Sequence, residues 1–209
     1  MKSYTFHVSM PGTGRVWRKI EMAGEQTLAE LHLAIQRAYS FDNDHLYSFF
    51  MSGRAWDDAS EYRLPEGAPP WSTVAGDEEM EEEAETPVME EEELSPEERE
   101  KALRKLFGPG LSLEEMEAEM EAFWARVEAD MEVQARRDVR IVTLDSLELE
   151  EGQTFMYLFD YGDEWRFKVR VHAVDAGAPA AAEYPRLVEE VGEAPQQYGW
   201  GDEDEEWEE

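Results

Sequence analysis

The stretch 155–170, FMYLFDYGDEWRFKVR, constrains the fold of this chain more than any other. Apolar and polar residues alternate on both sides of Tyr161-Gly162-Asp163-Glu164, the pattern of two half-buried strands joined by a tight turn. Gly162 is expected to supply backbone freedom in that turn, and Asp163 a side chain that caps it. Past the turn, Trp165, Phe167, Val169 and Val171 fall on one face and Arg166, Lys168 and Arg170 on the other. The hairpin therefore closes a sheet with one face against a core. Its basic face needs counter-charge, which the sequence assigns to acidic groups of the same chain.

Two similar runs open the chain. In 2–10, Tyr4, Phe6, Val8 and Met10 alternate with Thr5, His7 and Ser9, and Pro11-Gly12-Thr13-Gly14 is a turn signal. Val16, Arg18, Ile20 and Met22 then alternate with Trp17, Lys19 and Glu21, which predicts a second hairpin. From 27 to 39 the period becomes helical: Thr27 and Glu30 make a capping box, and Leu28, Leu31, Ile35 and Ala38 share a stripe. A loop over 40–45, a strand over 46–51 and a short strand over 62–64 follow. Val139, Ile141 and Thr143 begin a return to strand pattern over 139–174. This order predicts an α+β fold, with a β-grasp-like mixed sheet and one helix packed across it.

Charge narrows the function classes. The 209 residues carry 51 acidic and 19 basic side chains, a formal net charge of -32. That balance argues against a general nucleic-acid surface, which needs clustered Lys and Arg, and it suits a protein partner of basic character. With no cysteine, disulfides and thiolate metal sites are excluded. The N-terminal residues lack the apolar run of a signal peptide, and no stretch reaches the ~20 apolar residues of a membrane span, so a cytoplasmic protein without a membrane is expected.

Between 75 and 138 the composition shifts to 23 acidic against 7 basic residues, an acidic insertion that splits one discontinuous domain, 1–74 and 139–200. Residues 75–94 have no periodic apolar face and are expected to be disordered. Ser95 with Glu98, followed by Pro96, and Ser112 with Glu115 are capping boxes, and they predict helices over 95–108 and 112–137. In the second, Leu113, Met116, Met120, Phe123, Val127 and Met131 recur at helical spacing. Such a stripe packs on its own domain or docks a partner or a second copy. Residues 201–209 form an acidic tail.

Several of these residues recur as short motifs. Trp17-Arg18 follows Val16; Leu31-His32 lies in the first helix; and His45-Leu46 is flanked by Asp44 and Tyr47, with Phe49 beyond. Tyr157, Asp160-Tyr161-Gly162-Asp163 and Trp165 occupy the hairpin, and Tyr184-Pro185 precedes Gly192, Ala194 and Pro195. Together they resemble the plasmid pRiA4b ORF-3-like family, which is also seen among insertion-element passenger proteins. The resemblance covers about 1–74 and 139–200 and implies a fold rather than a reaction. After Ala194-Pro195 the family continues with an acidic pair, a cysteine and paired glycines, whereas this chain reads Gln196-Gln197-Tyr198-Gly199-Trp200.

His32, His45, Asp160 and Asp163 are the candidate chemistry, since imidazole and carboxylate suit zinc, manganese or iron and aspartates beside a sharp turn can converge. A divalent metal at His45, Asp160 and Asp163 would make the protein a metal-dependent hydrolase. Against this, Asp163 can cap the turn, Asp160 can pair with Arg18 or Arg166, and His45 and His32 can bond backbone groups. Trp17, Trp165, Tyr157 and Phe49 could line a base-stacking groove, but they serve equally as sheet core. The function read from the sequence is a non-catalytic protein-interaction module. The alternatives are a metal-dependent hydrolase or nuclease-like enzyme using His45, Asp160 and Asp163, and an acidic nucleic-acid mimic.

Overall fold

Residues 1–73, 95–108, 110–179 and 183–198 are described by a computed structural model. The segment 75–94 expected to be disordered and the tail 201–209 lie outside them. The chain divides into two compact units, Met1–Asp77 with Arg137–Glu209, and Glu78–Arg136.

In the first unit, the alternating runs at the N-terminus become β1 (Ser3–Ser9) and β2 (Trp17–Ala23), with Tyr4, Phe6, Val8, Ile20 and Met22 buried on one side. The 155–170 hairpin becomes β5 (Thr154–Phe159) and β6 (Trp165–Asp175). With β3 (Tyr47–Phe50), β4 (Glu61–Arg63) and β7 (Arg186–Val191) they form one seven-stranded sheet in the order β4-β3-β5-β6-β1-β2-β7. The fold is α+β, but the expected mixed sheet is corrected: every pairing between strands is antiparallel. Each hairpin pairs its own strands antiparallel by construction, and the two hairpins join through β1 and β6 in opposite directions. Alternation shows that a strand exists and not which way its neighbour runs.

The strand β7 has no apolar alternation and is exposed, so its sequence does not announce it. Cross-strand ion pairs mark its place on the edge, Arg186 with Glu21 and Lys19 with Glu189. The expected strand around Val139, Ile141 and Thr143 does not form. Instead, the carbonyls of Val139 and Val142 accept the first-turn N–H groups of the helix α1 (Leu28–Tyr39), from Ala29 and Leu28. With those carbonyls given to the helix, the segment makes only isolated bridges, Asp138 with Arg63 and Thr143 with Thr27. The capping box of Thr27 and Glu30 completes that start, and Ser40 ends the helix in the left-handed region.

Leu28, Leu31 and Ile35 of α1 are fully buried among Phe6, Phe49, Phe155, Tyr157, Phe159 and Phe167 of the sheet. The opposite face of the sheet is covered toward β3 and β5, where Trp56 packs on Phe50 and Tyr161. Across β6, β1 and β2 it presents Arg166, Lys168, Arg170, His7, Lys19 and Trp17.

The second unit holds α2 (Pro96–Phe107) and α3 (Leu113–Ala135), each opened by a complete capping box, at Ser95 and at Ser112. Among the described residues, no helix is long and apolar enough to cross a membrane.

Candidate functional site

The turn between β5 and β6 is built around Asp160 rather than Asp163. Asp160 sits at φ 56, where a short polar side chain is tolerated because it can bond the local backbone. Its Oδ1 accepts from the N–H groups of Gly162 at 2.9 Å and Asp163 at 3.4 Å, while its own N–H donates to the Leu46 carbonyl at 3.0 Å. Gly162 has no positive φ; Asp160 and Glu164 take the left-handed positions. A Cβ at Gly162 would stand 3.3 Å from the Asp160 carboxylate, so glycine leaves room for that carboxylate. Asp163 contributes its backbone N–H to the cap. Asp160 also does not pair with Arg18 or Arg166; the partner of Arg166 is Glu164.

The second oxygen of Asp160 faces His45, 3.6 Å from Nε2, and Asp44 Oδ1 lies 3.7 Å from the same nitrogen. Tyr198 completes the cluster: its hydroxyl is 3.5 Å from His45 Nε2 and donates to Asp44, an interaction that pushes its pKa up to about 12. Gln197 ties the same loop down, donating to Asp44 at 3.1 Å and accepting from the Asp42 N–H at 2.5 Å. The cluster sets one imidazole beside two carboxylates at a half-open surface, where an ion pair contributes little to stability. The fold thus brings His45 and Asp160 together. Yet among the described residues no group of three or more histidine or acidic side chains is placed to hold a metal ion.

Because the Asp160 carboxylate caps the turn, Asp160→Ala is expected to lose about 1–2 kcal/mol through the lost bonds and the left-handed backbone. Asp160→Asn keeps both and should lose less than half of that. Urea denaturation of the two variants decides it, since equal losses would place the effect in the charge facing His45.

His32 bonds none of these residues. It is fully buried and stacks on Tyr47 with ring centroids 3.6 Å apart. Its Nε2 is 2.6 Å from Asn43 Oδ1, which can only accept, so Nε2 carries the proton and Nδ1 accepts from the Tyr157 hydroxyl at 2.7 Å. Tyr157 in turn accepts from Gln36 Nε2 at 2.6 Å. Burial drives the His32 pKa down to about 3, so the ring is neutral. It bonds side chains, not the backbone carbonyl expected from its place at the edge of the helix stripe. In this relay Gln36 and Asn43 gave no sequence signal: Gln36, one helical turn from His32, reads as a solvent-facing residue, and Asn43 lies in the loop after α1.

Arg18 is the second buried polar group whose role the sequence did not reveal. It is 4% exposed, and its guanidinium lies over the Tyr39 ring at 4.8 Å. Nε donates to the Ala38 carbonyl at 2.8 Å, and Nη1 to the carbonyls of Trp17, Val191 and Gly192 at 3.0, 3.0 and 3.1 Å. One side chain thereby joins β2, the end of α1 and the chain leaving β7, and an open cleft of about 490 Å³ lies beside it, lined by Arg18, Tyr39, Gly192 and Pro195 among others. The four aromatics considered as a stacking groove do not share one: Tyr157 and Phe49 are core, Trp165 packs on Phe41, and Trp17 lies on the opposite face beside His7. Tyr184 and Pro185, joined by a cis peptide, lead into β7.

Residues 2–199 match the family model described as plasmid pRiA4b ORF-3-like protein. No curated protein matches. Among solved structures, the chain is similar to the protein of unknown function MM3350 from Methanosarcina mazei Go1, at 16% identity and a TM-score of 0.47, over 90% of this chain and 68% of that one. With its model matched over nearly the full length, the chain belongs to the plasmid pRiA4b ORF-3-like family.

Proposed function

We propose that the protein is a non-catalytic interaction module whose helical unit docks a partner protein of basic character. The observation that carries this reading is the apolar surface left open on α3. Leu103 of α2 and Met116 of α3 are buried, but Phe123, Trp124 and Met131 are 48%, 59% and 67% exposed. Phe123 and Trp124 pack edge to face, and a groove of about 630 Å³ runs beside them, lined by Leu106, Met120 and Trp124 among others. Exposed aromatics of this size, rimmed by charge, mark binding surfaces in other proteins. The rim here is acidic: α3 carries Glu114, Glu115, Glu117, Glu119, Glu121, Glu128 and Glu132 against Arg126. A second copy would bring the same charge, which weighs against self-association through 112–137 and favours a basic partner.

The other readings have less beneath them. A metal-dependent hydrolase rests on His45 and Asp160 without a third ligand, and a nucleic-acid mimic rests on 75–94 and 201–209. The test uses the full chain as bait beside Phe123→Glu/Trp124→Glu, with both proteins shown to have the same melting temperature. Basic proteins captured by the parent at low salt should be lost with the variant. An identical set of captured proteins overturns the proposal.

A further inference from the structure

The half of the sheet made by β6, β1 and β2 turns a basic face to solvent. Register places Arg170, His7 and Lys19 side by side in one row, and Lys168, Ser9 and Trp17 in the next. Lys19 is matched by Glu189, Arg186 by Glu21 and Arg166 by Glu164. Lys168 and Arg170 are exposed and, among the described residues, have no acidic group within ion-pair distance. The face carries that excess: the His7 pKa is lowered by burial first, and the Lys19 and Arg170 cations lower it further. Trp17, 4.8 Å from the His7 ring and under the Lys19 ammonium, adds an aromatic floor.

Unmatched cations on the face of a chain with net charge -32 call for a polyanion. A free polyanion is repelled by the rest of the molecule, whereas a tethered segment is already present at roughly millimolar effective concentration. Such a segment starts at the right place. Tyr198 is held at the turn end of the β5–β6 hairpin by Asp44, next to His45 and Asp160, and Arg166 is the first outward residue past that turn. Beyond it, 199–209 reads GWGDEDEEWEE, with seven acidic residues and no basic one. Eleven residues reach about 36 Å when extended. Along the strand, Lys168 and Arg170 lie within about 17 Å of Trp165. The tail is long enough to cover both.

We propose that the chain's own C-terminal segment, 199–209, occupies the basic face of β6 and β1, setting its carboxylates against Lys168 and Arg170. This inference is independent of the docking role of α3.

Carbodiimide coupling of the full-length protein at low ionic strength, followed by peptide mapping, tests it, because the reagent joins an ammonium only to a carboxylate in contact. The Lys19–Glu189 pair serves as the internal reference. The expected product joins Lys168 to an acidic residue of 202–209, in a yield unchanged by tenfold dilution of the protein. Arg170→Gln should lower that yield several-fold and leave the Lys19–Glu189 link unchanged. Raised salt should lower it as well. Three outcomes each overturn the proposal: Lys168 linked only to carboxylates outside 202–209, a link that disappears on dilution and so reports a second copy, or a Lys19–Glu189 link with none at Lys168.

Discussion

Arg18→Lys is expected to lower the unfolding free energy by about 3 kcal/mol, although charge and approximate length are kept. The guanidinium donates in two directions at once, from Nε to the Ala38 carbonyl and from Nη1 to the carbonyls of Val191 and Gly192. A lysine ammonium is a single point at the end of a flexible stem and cannot reach both sets. Buried carbonyls left without a donor cost about 1–3 kcal/mol each. The substitution also removes a planar cation from the face of Tyr39, whose hydroxyl donates to the Val8 carbonyl at 2.9 Å. The cation stands at the C-terminal end of α1, where the helix dipole favours it. Gly192→Ala tests the same joint from the other side. Gly192 sits at φ 77, and a Cβ there would come within 2.5 Å of the Arg15 carbonyl oxygen, so the backbone that presents the Gly192 carbonyl must move. Urea unfolding measures both variants. A loss below about 1 kcal/mol for Arg18→Lys would mean that the clamp contributes no more than an ordinary surface cation.

The second large effect concerns the buried relay from Gln36 through Tyr157 and His32 to Asn43. Tyr157→Phe removes one hydroxyl but strands two groups, His32 Nδ1 and Gln36 Nε2, and should cost about 2–4 kcal/mol. The relay also predicts a pH dependence. His32 titrates near 6.5 when unfolded and about 3 when folded, so between those values the unfolded chain binds more protons. Stability therefore falls as pH falls through that window, by about 2 kcal/mol from about pH 7 to about pH 5 for this residue alone. The many carboxylates of the chain titrate near the lower end, so the comparison is with His32→Gln, which does not titrate. The stability advantage of the parent over the variant should shrink by that amount across the window. An advantage that stays constant would show that His32 is not buried as the neutral ring.

Much of the fold was legible because it rests on local chemistry. The alternation in 2–10 and 155–170 predicts strands, since the side-chain period of a strand is two and only one face meets the core. Thr27 with Glu30 predicts the start of α1, because the helix end must satisfy its own N–H groups nearby. Where partners come from far along the chain, the reading failed. Val139 looks like a strand residue and instead caps α1 with Val142, and β7 shows no strand pattern yet pairs with β2. The turn was located correctly and its working residue was not: Gly162 and Asp163 fit the statistical preference, but Asp160 holds the left-handed position and the hydrogen bonds.

The candidate chemistry divides in the same way. His32 and His45 are equivalent in sequence as isolated histidines beside apolar residues. Tertiary packing buries one against Tyr47 and leaves the other half open beside Asp160 and Tyr198. By itself, then, the sequence determined the helices and most of the strands, the family, and the net charge of -32, because each follows from composition or from neighbours a few residues apart. Only the tertiary structure decided that the strand pairs described are antiparallel, that Arg18 and His32 lie inside as hydrogen-bonded polar groups, and that Lys168 and Arg170 share one exposed face with His7 and Lys19. Each of these depends on groups far apart in the chain being brought within a few ångströms, and residue order carries no record of that distance.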